Sequence, residues 1–159
     1  DKGIVYNLIS YLRKITERTI IVKLTPNVTS IEEIAKAAEK GGADVLSLIN
    51  TVYGMAIDIE TRKSKTKNVI AGYSGIGIKP IAIQNVFRVA KVVKIPIIGM
   101  GGIRNISDTL EFIIAGSSAV AVGTQNFVNP FATLDIIQGL EKYLNEQKIH
   151  YHDLIGSVR

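Results

Sequence analysis

Short runs of β-branched and apolar residues alternate with amphipathic stretches along this 159-residue chain, and the runs break at proline, asparagine or glycine. The first run is TIIVKLT (19–25), stopped by Pro26. Ser30, with Glu33 three residues on, has capping-box spacing and predicts a helix carrying Ile31, Ile34, Ala35 and Ala38 and ended by Gly41-Gly42. ADVLSLIN (43–50), IPIIGM (95–100) and SAVAVG (118–123) are three further strand signals. The long connection from Thr51 to Ile78 holds a short hairpin strand (AIDIET), a basic run, and VIAGYSGIG, a weaker fifth strand signal ending at Ser74-Gly75. Pro80 suits the first turn of a helix that buries Ile83, Val86, Phe87 and Ala90. Asn105 or Ser107 caps the next, which carries Leu110, Ile113 and Ile114 and ends at Gly116; Asn129-Pro130 opens a last helix with Leu134, Ile137, Leu140 and Leu144.

This alternation implies an α/β protein whose parallel strands are joined by right-handed crossovers. The helix-to-strand junctions at Gly42–Leu46 and Gly116–Val120 resemble each other, a repetition that favours a (β/α)8 TIM barrel over a doubly wound sheet. A full barrel takes eight strands in about 250 residues. The chain is therefore expected to supply the C-terminal half, about strands 4–8, as one partial domain over residues 1–159, with a short polar tail at 148–159. Val5, Leu8, Ile9 and Leu12 share one helical face at the very start, and a chain that opens at Asp1 without methionine reads as cut rather than begun.

Composition narrows the function classes. At 47% apolar and 21% charged residues the chain is of ordinary globular type. It has no cysteine, which excludes disulfides, zinc thiolate sites and a cysteine nucleophile within it. No run of 18 apolar residues and no signal peptide is present, so a cytoplasmic protein with no membrane partner is the expectation. Net charge is +5, yet the one dense basic run, Arg62 to Lys67, has no interleaved aromatic residue and reads as a solvated loop, not a nucleic-acid surface. His150 and His152 lack a carboxylate or cysteine cluster and read as surface residues; Asn27-Val28-Thr29 and Asn105-Ile106-Ser107 read as caps and turns despite their sequon spelling.

Parallel strands in a barrel aim their C-terminal ends at one mouth, where chemistry collects. The residues at these ends are Lys23 to Asn27, Asn50-Thr51, Ser74-Gly75, Gly101-Gly102 and Gly123-Thr124. Glycine lets backbone N–H groups approach a phosphate, and helix N-termini add a favourable dipole. Two such turns in adjacent units, the second followed by a hydroxyl residue, point to a phosphate site; tight βα turns alone are the alternative. Lys23 stands among Ile, Val and Leu and must reach solvent, a carboxylate or an anionic ligand. Asn50 either caps a turn or offers its amide to a planar polar ring.

The segments VKLTPN (22–27), INT (49–51), GYSGIGIKP (72–80), IIGMGGI (97–103) and AVAVGT (119–124) resemble, in order and spacing, dihydroorotate dehydrogenase. INTVYGMAID and GMGGI are similar to the heteromeric, NAD-linked class 1 branch. The resemblance implies a flavoprotein oxidoreductase of pyrimidine biosynthesis. It implies FMN in the barrel mouth, oxidation of dihydroorotate to orotate, loss of the C5 proton to a base and of hydride from C6 to the flavin. Lys23 matches the lysine that steadies negative charge on the reduced flavin. Asn50 and Thr51 match the substrate-binding position, and Ile49, Gly75, Gly101, Gly102, Gly123 and Thr124 match cofactor-binding positions, the last four as the phosphate cradle.

The family's base is a cysteine or serine in the first half of the barrel, so the resemblance leaves this chain without its proton acceptor and predicts inactivity alone. It also implies a homodimer of the full-length protein and, in the NAD-linked branch, a partner subunit carrying FAD and an iron–sulfur cluster. Three alternatives stay open: an FMN barrel like that of dihydropyrimidine dehydrogenase, a half-barrel that pairs with itself, and a flavin-free half-barrel that binds a phosphorylated metabolite.

Overall fold

The computed structural model describes residues 1–159. In chain order it holds α1 (Lys2–Ile15), β1 (Ile21–Leu24), α2 (Ile31–Gly41), β2 (Val45–Leu48), β3 (Val52–Gly54), β4 (Ile57–Asp58), β5 (Lys63–Ser64), β6 (Ala71–Tyr73), a 3-10 turn (Ile76–Ile78), α3 (Lys79–Ala90), β7 (Ile97–Met100), α4 (Ile106–Ala115), β8 (Ala119–Ala121), α5 (Gln125–Val128), α6 (Ala132–Gln147) and α7 (Tyr151–Leu154). No helix is long and apolar enough to cross a membrane.

Four strands form one parallel sheet in the order β1-β2-β7-β8, with β1 and β8 at its free edges. The sheet is open; no closed barrel is present. The fifth strand signal is real but belongs elsewhere: β6 pairs antiparallel with β3 inside the long connection. The reason is direct pairing of β2 with β7, Leu46 opposite Ile97, which leaves no place for β6 between them. The expected AIDIET hairpin forms as β4 paired with β5, and the basic run lies exposed on and beyond it.

The register divides the sheet into two unlike faces. Leu24, Leu46, Leu48 and Ile97 point one way and are buried under α2, α3 and α4, where Ala35, Ala38, Val86, Val89 and Phe112 complete the core. The opposite face carries Ile21, Lys23, Val45, Ser47, Ile98, Met100, Ala119 and Ala121, with Ile21, Lys23 and Ala119 exposed. Parallel strands are normally covered on both faces; here the second face is partly bare, with Ser47 buried and Val45, Ile98, Met100 and Ala121 half-buried.

The helix starts and stops follow the sequence signals. Ser30 caps α2 through the Glu33 N–H, Asn105 caps α4 through the Asp108 N–H, and Pro80 sits in the first turn of α3. Gly42 and Gly116 end α2 and α4 with positive φ, so the two resembling junctions do share a conformation.

α2 buries the expected Ile31, Ala35 and Ala38, with Ile34 half-buried; in α3 and α4 the buried faces share Val86 and Ile113 with the expected ones but are shifted. In α3 the buried residues are Ala82, Asn85, Val86 and Val89, with Ile83, Phe87 and Ala90 only half-buried. In α4 they are Asp108, Thr109, Phe112, Ile113 and Ala115, with Leu110 and Ile114 half-buried. Close helix–sheet approach selects small residues at the contact: a Cβ on Gly101 would stand 3.0 Å from the Ala82 methyl, and one on Gly99 would stand 2.6 Å from the Phe112 ring. In α6 only Ala132 and Ile136 are buried. Leu134 and Ile137 stay more than half exposed because nothing covers that side. Leu8 of α1 is likewise exposed, while Ile9 is buried against α2.

The segment 148–159 is more than a polar tail. It folds into α7, buries Leu154, and returns along α4 with Gly156 N–H donating to Ile113 O and Val158 N–H to Ile114 O.

Candidate functional site

The C-terminal ends of the four parallel strands open into a cavity of about 360 Å³. Every residue matched to a ligand by sequence lines it: Lys23, Ile49, Asn50, Thr51, Gly75, Gly101, Gly102, Gly123 and Thr124. They come from one strand and four separate turns, so their convergence is a property of the fold and not of local sequence.

β1 presents Lys23 on the bare face, in register with Ser47. The side chain is exposed and takes part in none of the molecule's ion pairs. An unpaired ammonium beside apolar strand residues suits an anionic or electron-rich ligand. β2 continues into Ile49, which is buried, and Asn50, which is exposed. Their backbone N–H groups bond to Met100 O and Leu24 O at 3.0 Å, which extends the strand ladder to the cavity and leaves the Asn50 side-chain amide without a partner in the chain.

Thr51 is held from behind. Asn27 Nδ2 donates to Thr51 O at 2.9 Å and its Oδ1 accepts the Tyr53 N–H at 3.1 Å. A strand-end asparagine thus fixes the adjoining strand-end threonine. Across the cavity, Thr124 Oγ1 donates to Ser74 Oγ at 3.1 Å and links the turn after β8 to the turn after β6.

The glycine turns have different causes. Gly102 has φ +80°, and a Cβ there would meet Gly75 O at 2.8 Å and Lys79 N at 3.0 Å, so the fold itself requires glycine. Gly123 has no such φ, and a Cβ there would meet nothing within 4 Å. Its missing side chain leaves open space at the cavity, the arrangement a bound phosphate or other close-approaching group needs.

Several lining residues carry no earlier assignment: Ser74, Met100, Arg104, Gln125 and Val128. Arg104 had a readable signal, a cation directly after the Gly101-Gly102 turn. Ser74 had one as well, in the Ser-Gly pair, though its bond to Thr124 spans 50 residues and has no local signature. Met100 and Val128 are apolar residues that only the fold places at the cavity.

The sequence model of the dihydroorotate dehydrogenase family matches residues 1–144. The dihydroorotate dehydrogenase B (NAD(+)) catalytic subunit of Thermoanaerobacter sp. (strain X514) is 54% identical over 156 residues, 98% of this chain and 52% of that protein. The catalytic subunit of the same name from Lachnoclostridium phytofermentans is 51% identical over 160 residues, 100% of this chain and 53% of that protein. That of Desulforamulus reducens is 57% identical over 144 residues, 90% of this chain and 47% of that protein. The chain thus spans about half the length of the curated relatives it matches. Matched by the family model over nearly all of its length, and identical to such relatives at about half its positions, the chain belongs to the dihydroorotate dehydrogenase family.

Proposed function

We propose that this chain is the flavin-holding part of an FMN-dependent enzyme that oxidises dihydroorotate to orotate in cytoplasmic pyrimidine biosynthesis. The observation that carries the reading is the convergence of the matched residues, from five separate segments, on one cavity. The residues suit the group: a glycine with open space in front of it, a second glycine turn beside it, and an unpaired lysine on the bare face. The backbone N–H groups at Gly101, Gly102, Gly123 and Thr124 would hold the FMN phosphate. Ile49 and Gly75 would border the rest of the cofactor, and Asn50 and Thr51 would bind the substrate. Lys23 would set its ammonium beside the flavin, where it stabilises negative charge that develops on reduction. When bound, FMN supplies the two-electron acceptor.

The same reading assigns the sheet to half of a (β/α)8 barrel. The bare face becomes barrel interior, and the free edges of β1 and β8 pair with strands from the remainder of a barrel. The 159-residue polypeptide has no cysteine, and none of its residues matches the family's proton acceptor. Alone it binds flavin without turning over dihydroorotate. A homodimer, and a partner subunit with FAD and an iron–sulfur cluster that passes electrons to NAD, belong to the same reading of the full-length protein; the words NAD(+) and catalytic subunit in the relatives' names support a further subunit.

Two assays test it. The purified chain reconstituted with FMN turns yellow, absorbs near ~450 nm, and gives no orotate from dihydroorotate. Failure to take up flavin sinks the cofactor assignment, and orotate production sinks the assignment of the base to residues outside this chain.

A further inference from the structure

One buried carboxylate lies behind the cavity wall and has no place in the reading so far. Asp108, in the first turn of α4, is 2% exposed. It accepts three hydrogen bonds: from Lys79 Nζ at 2.7 Å, from the Arg104 backbone N–H at 3.0 Å and from Arg104 Nε at 3.3 Å. Arg104 ends the turn that begins at Gly101-Gly102, and Lys79 begins α3 directly after the turn that begins at Gly75. Asp108 therefore grips both turns from behind, where Gly102 already lies against Gly75 O and Lys79 N. Glu111 Oε1 holds the same ammonium from the solvent side at 2.6 Å.

The balance of forces keeps the group charged. Burial pushes the Asp108 carboxyl up, but the bonds from Lys79 and Arg104 outweigh this and hold it below the ordinary aspartate value. Burial likewise pushes Lys79 down, and its two carboxylate partners raise it above the ordinary lysine value. A charged group with three donors and almost no solvent is a rigid anchor, because breaking any one bond leaves a buried charge poorly paired. A surface cap for α4 needs none of this: Asn105 Oδ1 already accepts the Asp108 N–H at 3.0 Å.

Resting on the FMN reading above, we propose that Asp108 is a positioning residue: through Arg104 and Lys79 it fixes the Gly101–Arg104 turn against the Gly75 turn, and so sets the backbone N–H groups that receive the cofactor's phosphate. Asp108 itself touches no ligand. Two of its three hydrogen bonds come from Arg104, at the end of the turn that holds the phosphate, which predicts a larger loss for a phosphorylated flavin.

The test compares FMN with riboflavin, which lacks the phosphate, by quenching of flavin fluorescence on titration with the 159-residue chain. Wild type prefers FMN. Asp108→Asn keeps the shape and loses the charge; it weakens FMN about tenfold, the scale of one hydrogen bond to a charged group, and riboflavin less than about twofold. If Asp108→Asn does not fold, Lys79→Met gives the same selective loss from the other side of the pair, while Glu111→Gln, which removes only the solvent-side partner, keeps the FMN preference. Equal weakening of both flavins, or no weakening of either, overturns the positioning role. A wild-type chain that binds FMN no more tightly than riboflavin overturns the phosphate reading itself, and the positioning role with it.

Discussion

The turns at Gly101–Gly102 and Gly123–Thr124 look alike in sequence, each ending an apolar strand at the same cavity, yet the protein needs their glycines for different reasons. The first turn is built into the body of the molecule. Its backbone is left-handed, Ala82, Gly75 and Lys79 crowd the places where side chains would go, and Asp108 grips its far end. The second is bordered by space, with one hydroxyl bond from Thr124 to Ser74. A glycine that the fold requires says little about a ligand. A glycine that nothing in the chain requires says more, and Gly123 is therefore the stronger sign of a cofactor.

The contrast can be broken by substitution. The largest effect belongs to the support of the first turn: Phe112, fully buried beneath Gly99 of the strand leading into it, costs about 3–5 kcal/mol of stability on conversion to alanine. Chemical denaturation reads this, and a loss under about 1 kcal/mol would mean that the core under β7 is looser than described.

Next comes Gly102→Ala, which forces a Cβ into a left-handed position 2.8 Å from Gly75 O and lowers stability by about 1–3 kcal/mol. Gly123→Ala sharpens the comparison from the other side. Its Cβ meets nothing within 4 Å, so stability changes by less than about 0.5 kcal/mol while FMN binding weakens about tenfold. Equal melting shifts for the two variants would erase the distinction between the turns.

The smallest effect is one of pH. Asp108 titrates below its ordinary value when folded, so its contribution to stability is complete above the unfolded aspartate value and is lost as pH falls through the folded one. Acid unfolding of Asp108→Asn should therefore be flatter than that of wild type in that range. Identical acid profiles would mean that Lys79 and Arg104 do not hold the group.

Much of the site was legible in the sequence because strand ends advertise themselves. A β-branched run that stops at Pro26, Asn50, Gly101 or Gly123 marks the mouth of a parallel sheet, and the resemblance supplied the roles. Helix limits were legible for the same local reason, through Ser30, Asn105, Pro80, Gly42 and Gly116.

The helix faces were legible only in part: Ile31, Ala35 and Ala38 of α2, Val86 of α3 and Ile113 of α4 are buried as expected, but the rest of the α3 and α4 contacts were not foreseen. Hydrophobicity points to the large residues Ile83 and Phe87, whereas contact with the sheet is set by how closely backbones approach, and Ala82 wins that position. The fate of the fifth strand signal was also hidden, since pairing of β6 with β3 or with the main sheet depends on whether β2 and β7 already touch. The role of Asp108 was invisible because its partner Lys79, 29 residues away in sequence, is brought to it by packing of α3 against α4. In sequence it is one more acidic residue in a helix's first turn.

The central claim is that two unlike glycine turns together hold a phosphorylated flavin, and amide chemical shifts on titration with FMN and with riboflavin test it most directly. FMN should move the amide signals of Gly101, Gly102, Gly123 and Thr124, and riboflavin should leave those four largely in place while moving residues near Lys23 and Asn50. Signals at the four amides that respond equally to both flavins, or to neither, would contradict the account.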